Sequence, residues 1–283
     1  MTQTVERMLP LYEAKMVHQF DHRWATYEPD GSIRDVTLAE KQDPTFVSLP
    51  RYWVREEVVD DRLNGRNEGP LLGLRDICRS TDERTVIGGL IPHAGVGNNL
   101  PILLGVRDEL RLRLVAYLCS FALDFIARPK VGGVHLNFFI ANQLAVLSPE
   151  RMSGGVSWCS DVGTWIDQRV LALAAHGSDL ATLLGVEPTP FSPDVRSLVR
   201  AELDAAMFRL LEIGRDDVDY IMETFPIVKR KDVAAFGSFR TKELILEVYD
   251  AMQAAIDEGC AYPSPLEVDE RLSTPATKRE SAP

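Results

Sequence analysis

Apolar residues recur at steps of three and four through Leu110, Leu114, Tyr117, Leu118, Phe121 and Phe125, which predicts a helix over 108–126. The period returns at Trp165, Ile166, Val170 and Leu173 behind a capping Asp161, and at Leu198, Leu203, Met207 and Leu210 behind Asp194. A short helix from Asp216 turns Val218, Ile221, Met222 and Phe225 inward. A last one over 241–258 buries Leu244, Ile245, Val248, Tyr249, Met252 and Ile256 and stops at Gly259. Earlier the pattern is shorter and alternating. A strand is expected from Val17 to Tyr27 and another near Tyr52 to Val59. Leu71 to Arg79 and Thr85 to Pro92 read as a hairpin joined by Ser80 to Arg84, and the apolar run 134–146 is read as helix. Together these predict an α+β chain: a mixed, β-containing domain over 1–152, a helical domain over 153–262, and a disordered tail over 263–283. Ser153-Gly154-Gly155 marks the boundary.

Composition adds little to this division, but charge does. A chain of 283 residues with 45% hydrophobic content can build a substantial core. It has no run of about 18 uncharged apolar residues and no signal-peptide order at its start, so no membrane is expected and the default location is cytoplasmic. Cys78, Cys119, Cys159 and Cys260 form no CxxC pair, which argues against a zinc site or a disulfide framework. The net charge of −11 is unfavourable for a nucleic-acid partner. Its distribution is not uniform: Lys and Arg exceed Asp and Glu by two over 75–135, whereas 161–283 carries an excess of nine acids. A duplex would be drawn to the first stretch and repelled by the second.

The candidate chemistry lies in that basic stretch. In DFIARPKVGGVHLNFFIANQ, Arg128 and Lys130 flank Pro129, which ends the preceding helix and sets two cations on a turn. Gly132 and Gly133 permit positive φ, and His135 and Asn137 follow with hydrogen-bonding groups suited to a phosphate or a base edge. The other reading is a helix C-terminus whose carbonyls attract the two cations, with Gly132 as cap. Arg75, Arg79, Thr81 and Arg84 lie on or near the hairpin and are residue types that contact phosphates and guanine. There the alternative is a solvated hairpin whose arginines pair with Asp82 and Glu83. Arg107, Arg111 and Arg113 at the start of the long helix either await an anion or pair with Asp108 and Glu109. His18 and His22 share a strand face but lack further ligands, so no metal is assigned to them.

The pattern from Asp124 to Val146 resembles the end of the target-recognition region in large adenine-specific DNA methyltransferases of type IIG-like and DISARM-type defence systems. PLYEAKMVHQFDHRWATY, RDICRSTDERTVIGGLIP, AELDAAMFRL, DDVDYIMETFPIVKRKD and FGSFRTKELILEVYDAM are similar, in order, to further segments of those enzymes. The resemblance implies double-stranded DNA as a partner, with Arg75, Arg79, Thr81, Arg84, Arg128, Lys130, His135 and Asn137 as contacts. It also implies a catalytic methyltransferase domain or chain, because methylation requires an Asn-Pro-Pro-Tyr type loop and a cofactor pocket, and this chain has no Pro-Pro dipeptide and no cofactor-binding Gly-x-Gly-x-x-Gly turn. No catalytic residue, metal or cofactor is expected on the chain itself; S-adenosylmethionine is expected on the partner. The implied function is the specificity part of a split or truncated adenine N6 methyltransferase. The alternative is a structural subunit of a defence complex, or a gene fragment, that does not bind DNA.

Overall fold

Short strands, with two short helices among them, lie before residue 104 and helices follow, so the class is α+β with helices gathered in the C-terminal half. The computed structural model describes residues 6–66 and 69–266. First come β1 (Met8–Tyr12), β2 (Ala25–Tyr27), β3 (Ile33–Asp35), α1 (Leu38–Gln42), β4 (Tyr52–Arg55) and α2 (Glu56–Leu63). Next are β5 (Leu71–Leu74), β6 (Gly88–Ile91), β7 (Gly95–Val96) and β8 (Ile102–Leu103). The helical part holds α3 (Asp108–Leu118), α4 (Phe121–Ala127), α5 (Phe138–Ala141), α6 (Val162–Ala174), α7 (Ser178–Leu184), α8 (Pro193–Leu210), α9 (Arg215–Glu223), α10 (Pro226–Phe236) and α11 (Arg240–Glu258). The strands make three small sheets, ordered β4-β1-β7, β2-β3 and β6-β5-β8. Among the described residues no helix is long and apolar enough to cross a membrane.

Several expected elements are present with altered limits. The hairpin pairs as expected, Leu71 opposite Ile91 and Leu74 opposite Gly88, but its strands separate beyond Arg75, whose amide donates to Ile87 O. There 76–78 leaves the sheet and pairs instead with 134–136. The strand expected over 17–27 is only β2. Phe20 adopts φ +58°, His18 and Asp21 close a tight turn around it, and the alternation is lost. The helix expected over 108–126 breaks at Cys119-Ser120, where the Ser120 hydroxyl accepts from Leu123 N and the Asp204 carboxylate accepts from Phe121 N at 2.8 Å. Those two bonds satisfy amides that a new helix start exposes. Of the helix expected over 134–146, only α5 forms, capped by Asn137.

One large apolar cluster reaches from Phe20 and Leu72 through α3, α4, α6, α8, α9 and α11 to Tyr262. The expected boundary at 152/153 lies inside it: Met152 and Trp158 are both buried there. A second cluster, with Tyr12, Met16, Leu71, Ile91 and Leu100, lies beneath β1 and β5. Within the stretch expected as tail, Ser264 is buried and donates to Glu202 Oε1 at 2.6 Å, while 267–283 lie outside the described residues.

Buried charge joins the layers. Asp124, on α4, is wholly buried and accepts from Arg84 Nε at 2.7 Å, from Arg128 Nε at 3.2 Å and from Thr85 N at 3.0 Å. Arg84 also donates to Cys119 O at 2.7 Å and lies 3.9 Å from the Phe121 ring centre; Arg128 lies 4.1 Å from that of Phe225. Elsewhere Arg23, fully buried, donates to the carbonyls of Asp43, Phe46, Lys41 and His176, fastening the N-terminal segment to the turn after α6. Asp21 sits beside it with Lys41 Nζ at 2.5 Å and His176 Nε2 at 3.3 Å. Burial works against its ionisation, but those partners hold its carboxyl well below the usual range. Removing one member of such a set leaves the others charged without compensation. Asp124→Asn should therefore cost about 3–5 kcal/mol by urea denaturation, whereas Asp216→Asn, at the exposed start of α9, should change stability by less than about 0.5 kcal/mol.

Candidate nucleic-acid interface

Three segments of the basic stretch adjoin through backbone and side-chain bonds. Strand-like contacts join 76–78 to 134–136: Cys78 N donates to Val134 O at 3.1 Å and Leu136 N to Asp76 O at 2.7 Å. The Arg128 guanidinium then fixes the 79–83 turn to the end of α4 by donating to Asp82 O at 2.9 Å and Glu83 O at 2.8 Å. The result is a surface ridge made of the turn at 79–83, the 3-10 turn Arg128–Lys130 and the segment leading into α5.

The eight predicted residues divide by role. Arg84 is 4% exposed and, with Arg128, belongs to the Asp124 cluster, so neither guanidinium is presented to solvent as the sequence reading expected. The helix-cap alternative for Arg128 also gives way, since its carbonyl partners belong to another loop rather than to its own helix. Gly132 and Gly133 do not adopt positive φ; the 3-10 turn, not a glycine cap, ends α4. Arg79, Thr81 and Lys130 are exposed on the ridge. The Arg79 amide donates to Asp82 Oδ2 at 2.9 Å, which shapes the turn and leaves the guanidinium outside it. His135 Nδ1 lies 2.8 Å from Asp76 Oδ2, so the carboxylate orients the ring and Nε2 stays uncommitted. Asn137 Oδ1 accepts from Ile140 N at 3.1 Å as the cap of α5, which leaves its amide NH₂ as a donor. Arg75 stands apart, beside a cleft at the foot of β5.

Pairing decides which cations can attract an anion. Arg107 and Arg111 pair with Glu109 and Asp108 at 3.0 and 2.6 Å, and Arg113 with Asp167 at 3.0 Å. With Arg84 and Arg128 already engaged, Arg75, Arg79 and Lys130 are the cations of the 75–135 stretch that form no ion pair among the described residues. The sequence reading missed the aromatic part of the ridge. Phe138 and Phe139 are 70% and 75% exposed, and Ile77 and Val134, on the paired segments 76–78 and 134–136, are 45% and 46% exposed. Two adjacent Phe residues in a short run behind a capping Asn were the available signal, because a four-residue helix cannot turn both inward.

Comparison with protein-family models, with curated proteins and with solved structures finds no match. Among the described residues no group of three or more His, Cys, Asp or Glu side chains is arranged to hold a metal ion.

Behind the ridge, His18 stacks on Trp24 with ring centres 4.3 Å apart. Burial, together with the charges of Arg200, Arg75 and Arg84, pushes its pKa from 6.5 down to about 3. Protonation therefore favours the unfolded chain. The stability His18 contributes is present above pH 6.5 and is lost as pH falls toward its folded pKa of about 3. Asp204 works in the opposite sense, since burial raises its pKa to about 6 and folding gains as pH falls from there toward 3.8. Comparing wild type with His18→Gln cancels the Asp204 part. Between pH 6 and 4 the variant's plot of unfolding free energy against pH should be shallower by close to one proton, about 1.4 kcal/mol per pH unit.

Proposed function

We propose that this chain is the DNA-recognition part of a split, site-specific adenine N6 methyltransferase, which holds double-stranded DNA while a separate catalytic domain or chain supplies S-adenosylmethionine and the base-binding loop. One observation supports this above the others: Arg79, Thr81, Lys130, His135 and Asn137, far apart in sequence, occupy one exposed ridge with hydrogen-bonding groups uncommitted. Unpaired cations on the ridge suit backbone phosphates, and the imidazole and amide suit a base edge or a sugar oxygen. The acidic helices of the C-terminal half would repel DNA, so contact is oriented toward the ridge despite the net charge of −11.

A second reading, a structural subunit that stabilises a defence complex without binding DNA, draws on the exposed Phe138 and Phe139. Aromatic anchors of this kind are typical of protein interfaces. Salt dependence separates the two. Arg79→Ala combined with Lys130→Ala should weaken binding to duplex DNA and lower the slope of log K against log salt by about 1.8, at roughly 0.9 per phosphate contact. The fold should hold, because neither side chain is buried. Duplex affinity that the double substitution leaves unchanged at every salt concentration would favour the structural subunit.

A further inference from the structure

Arg75 carries a guanidinium that no close partner among the described residues engages. It follows β5 directly, and its backbone is held by Ile87 O at 2.9 Å. Its guanidinium makes no ion pair or hydrogen bond among the described residues, and its Nε is buried without a partner. Burial lowers its pKa, with Asp82 and Cys78 only partly opposing that. A desolvated guanidinium costs free energy unless something compensates it. Among the described residues no hydrogen bond or ion pair supplies that compensation.

Arg75 lines a cleft of about 220 Å³ with Lys15, Trp24, Ala25, Ile33, Arg34 and Asp35, between the 3-10 turn Ala14–Met16 and the β2-β3 hairpin. The charges there are not equivalent. Arg34 is saturated, bidentate to Glu40 at 2.7 Å and bonded to Glu28. Lys15 is exposed and forms no ion pair among the described residues; its ammonium stands 5.0 Å from the Tyr27 ring centre and meets the Tyr27 hydroxyl, which itself donates to Glu13. Asp35 is exposed at the rim. Trp24 offers only an edge, because His18 stacks on its ring and Lys41 Nζ stands 4.4 Å from its centre. A stacked aromatic ligand is thereby disfavoured, and an oxyanion held between two cations is favoured.

We propose that Lys15 and Arg75 form a phosphate-binding cleft, which takes the phosphate of a nucleotide unit with the attached sugar lying in the remaining volume. Arg75 supplies a planar donor pair matched to two phosphate oxygens, and Lys15 supplies a mobile point charge. Asp35 at the rim disfavours a second phosphate, which selects a monoester or a single diester over a polyphosphate. Arg75 immediately precedes Asp76, the partner of His135, so the cleft and the ridge are joined through consecutive residues. That the phosphate belongs to DNA rests on the recognition reading; the cleft as an oxyanion site does not.

The test is titration of the full chain, observed through the Arg75 Nε–Hε and Trp24 indole NMR signals, with three probes: inorganic phosphate, adenosine monophosphate and a short duplex. Saturable shifts of both signals with inorganic phosphate are expected. Arg75→Gln should abolish the Trp24 shift, Lys15→Gln, at an exposed position, should weaken binding several-fold, and Arg75→Lys should restore part of it. If the duplex moves the same signals and Arg75→Gln lowers its salt slope by about 0.9, the phosphate is that of the DNA backbone. Shifts with adenosine monophosphate but none with duplex keep the cleft and assign it to a free nucleotide, against the recognition reading at this position. Signals unmoved by inorganic phosphate and by adenosine monophosphate, or Trp24 shifts that persist in Arg75→Gln and Lys15→Gln, would overturn the proposal.

Discussion

The carboxylate of Asp124 holds together parts of the chain that are distant in sequence. With two arginines and one backbone amide on it, it joins the loop after β5 to α4, and through the ring contacts of those arginines it reaches Phe121 and Phe225. The two rings meet edge to face at 4.7 Å, so the ion cluster is roofed by aromatic surface and water is excluded from it. A buried pair of this kind adds little net stability over an apolar replacement, but it penalises every arrangement in which one member is missing. The consequence is specificity of register. The 79–83 turn can sit only where Arg84 and Arg128 both reach, and that fixes the ridge beside it.

This interaction also explains where sequence reading succeeded and failed. The helices α6, α9 and α11 were legible because each carries an apolar stripe at helical spacing, and two of them a local signal, Asp161 accepting from Thr164 N at the start of α6 and Gly259 at φ +69° at the end of α11. α10 was not expected as a separate helix, since only Val228 on it is buried and its stripe is faint. The break between α3 and α4 was hidden because Phe121 and Phe125 continue the period of the first helix; what starts the second helix is Asp204, eighty-three residues away. For the ridge, the residue types and their neighbourhood were legible, but not their division of labour. Arg84 and Arg79 look alike in sequence, and only a carboxylate forty residues on distinguishes them. Arg128 did carry a local sign, four residues after Asp124 on a helix, which is the spacing of an intrahelical pair.

The two halves of the chain then have different physical tasks. The C-terminal helices bury most of the apolar surface and carry the acidic excess, with pairs such as Arg169 Nε to Glu202 Oε2 at 2.7 Å inside and Arg215 to Asp250 outside. The β-containing half has thin sheets of two or three strands, which are marginal alone and depend on packing against the helices. That dependence is visible at Arg23 and at Arg196, whose guanidinium bonds Phe20 O across the interface between the halves. A rigid helical base with cations and hydrogen-bonding groups raised on irregular segments is an economical way to present a binding surface, because the segments borrow their order from the core.

Amide hydrogen exchange with and without duplex DNA tests that arrangement most directly, since it reports the contacted face without altering a residue. Added protection confined to 75–82 and 128–139, with α9 and α11 unchanged, is the result expected if the ridge is the recognition surface. Protection that falls on the C-terminal helices while the ridge exchanges as before, or that appears nowhere at saturating duplex, would contradict it.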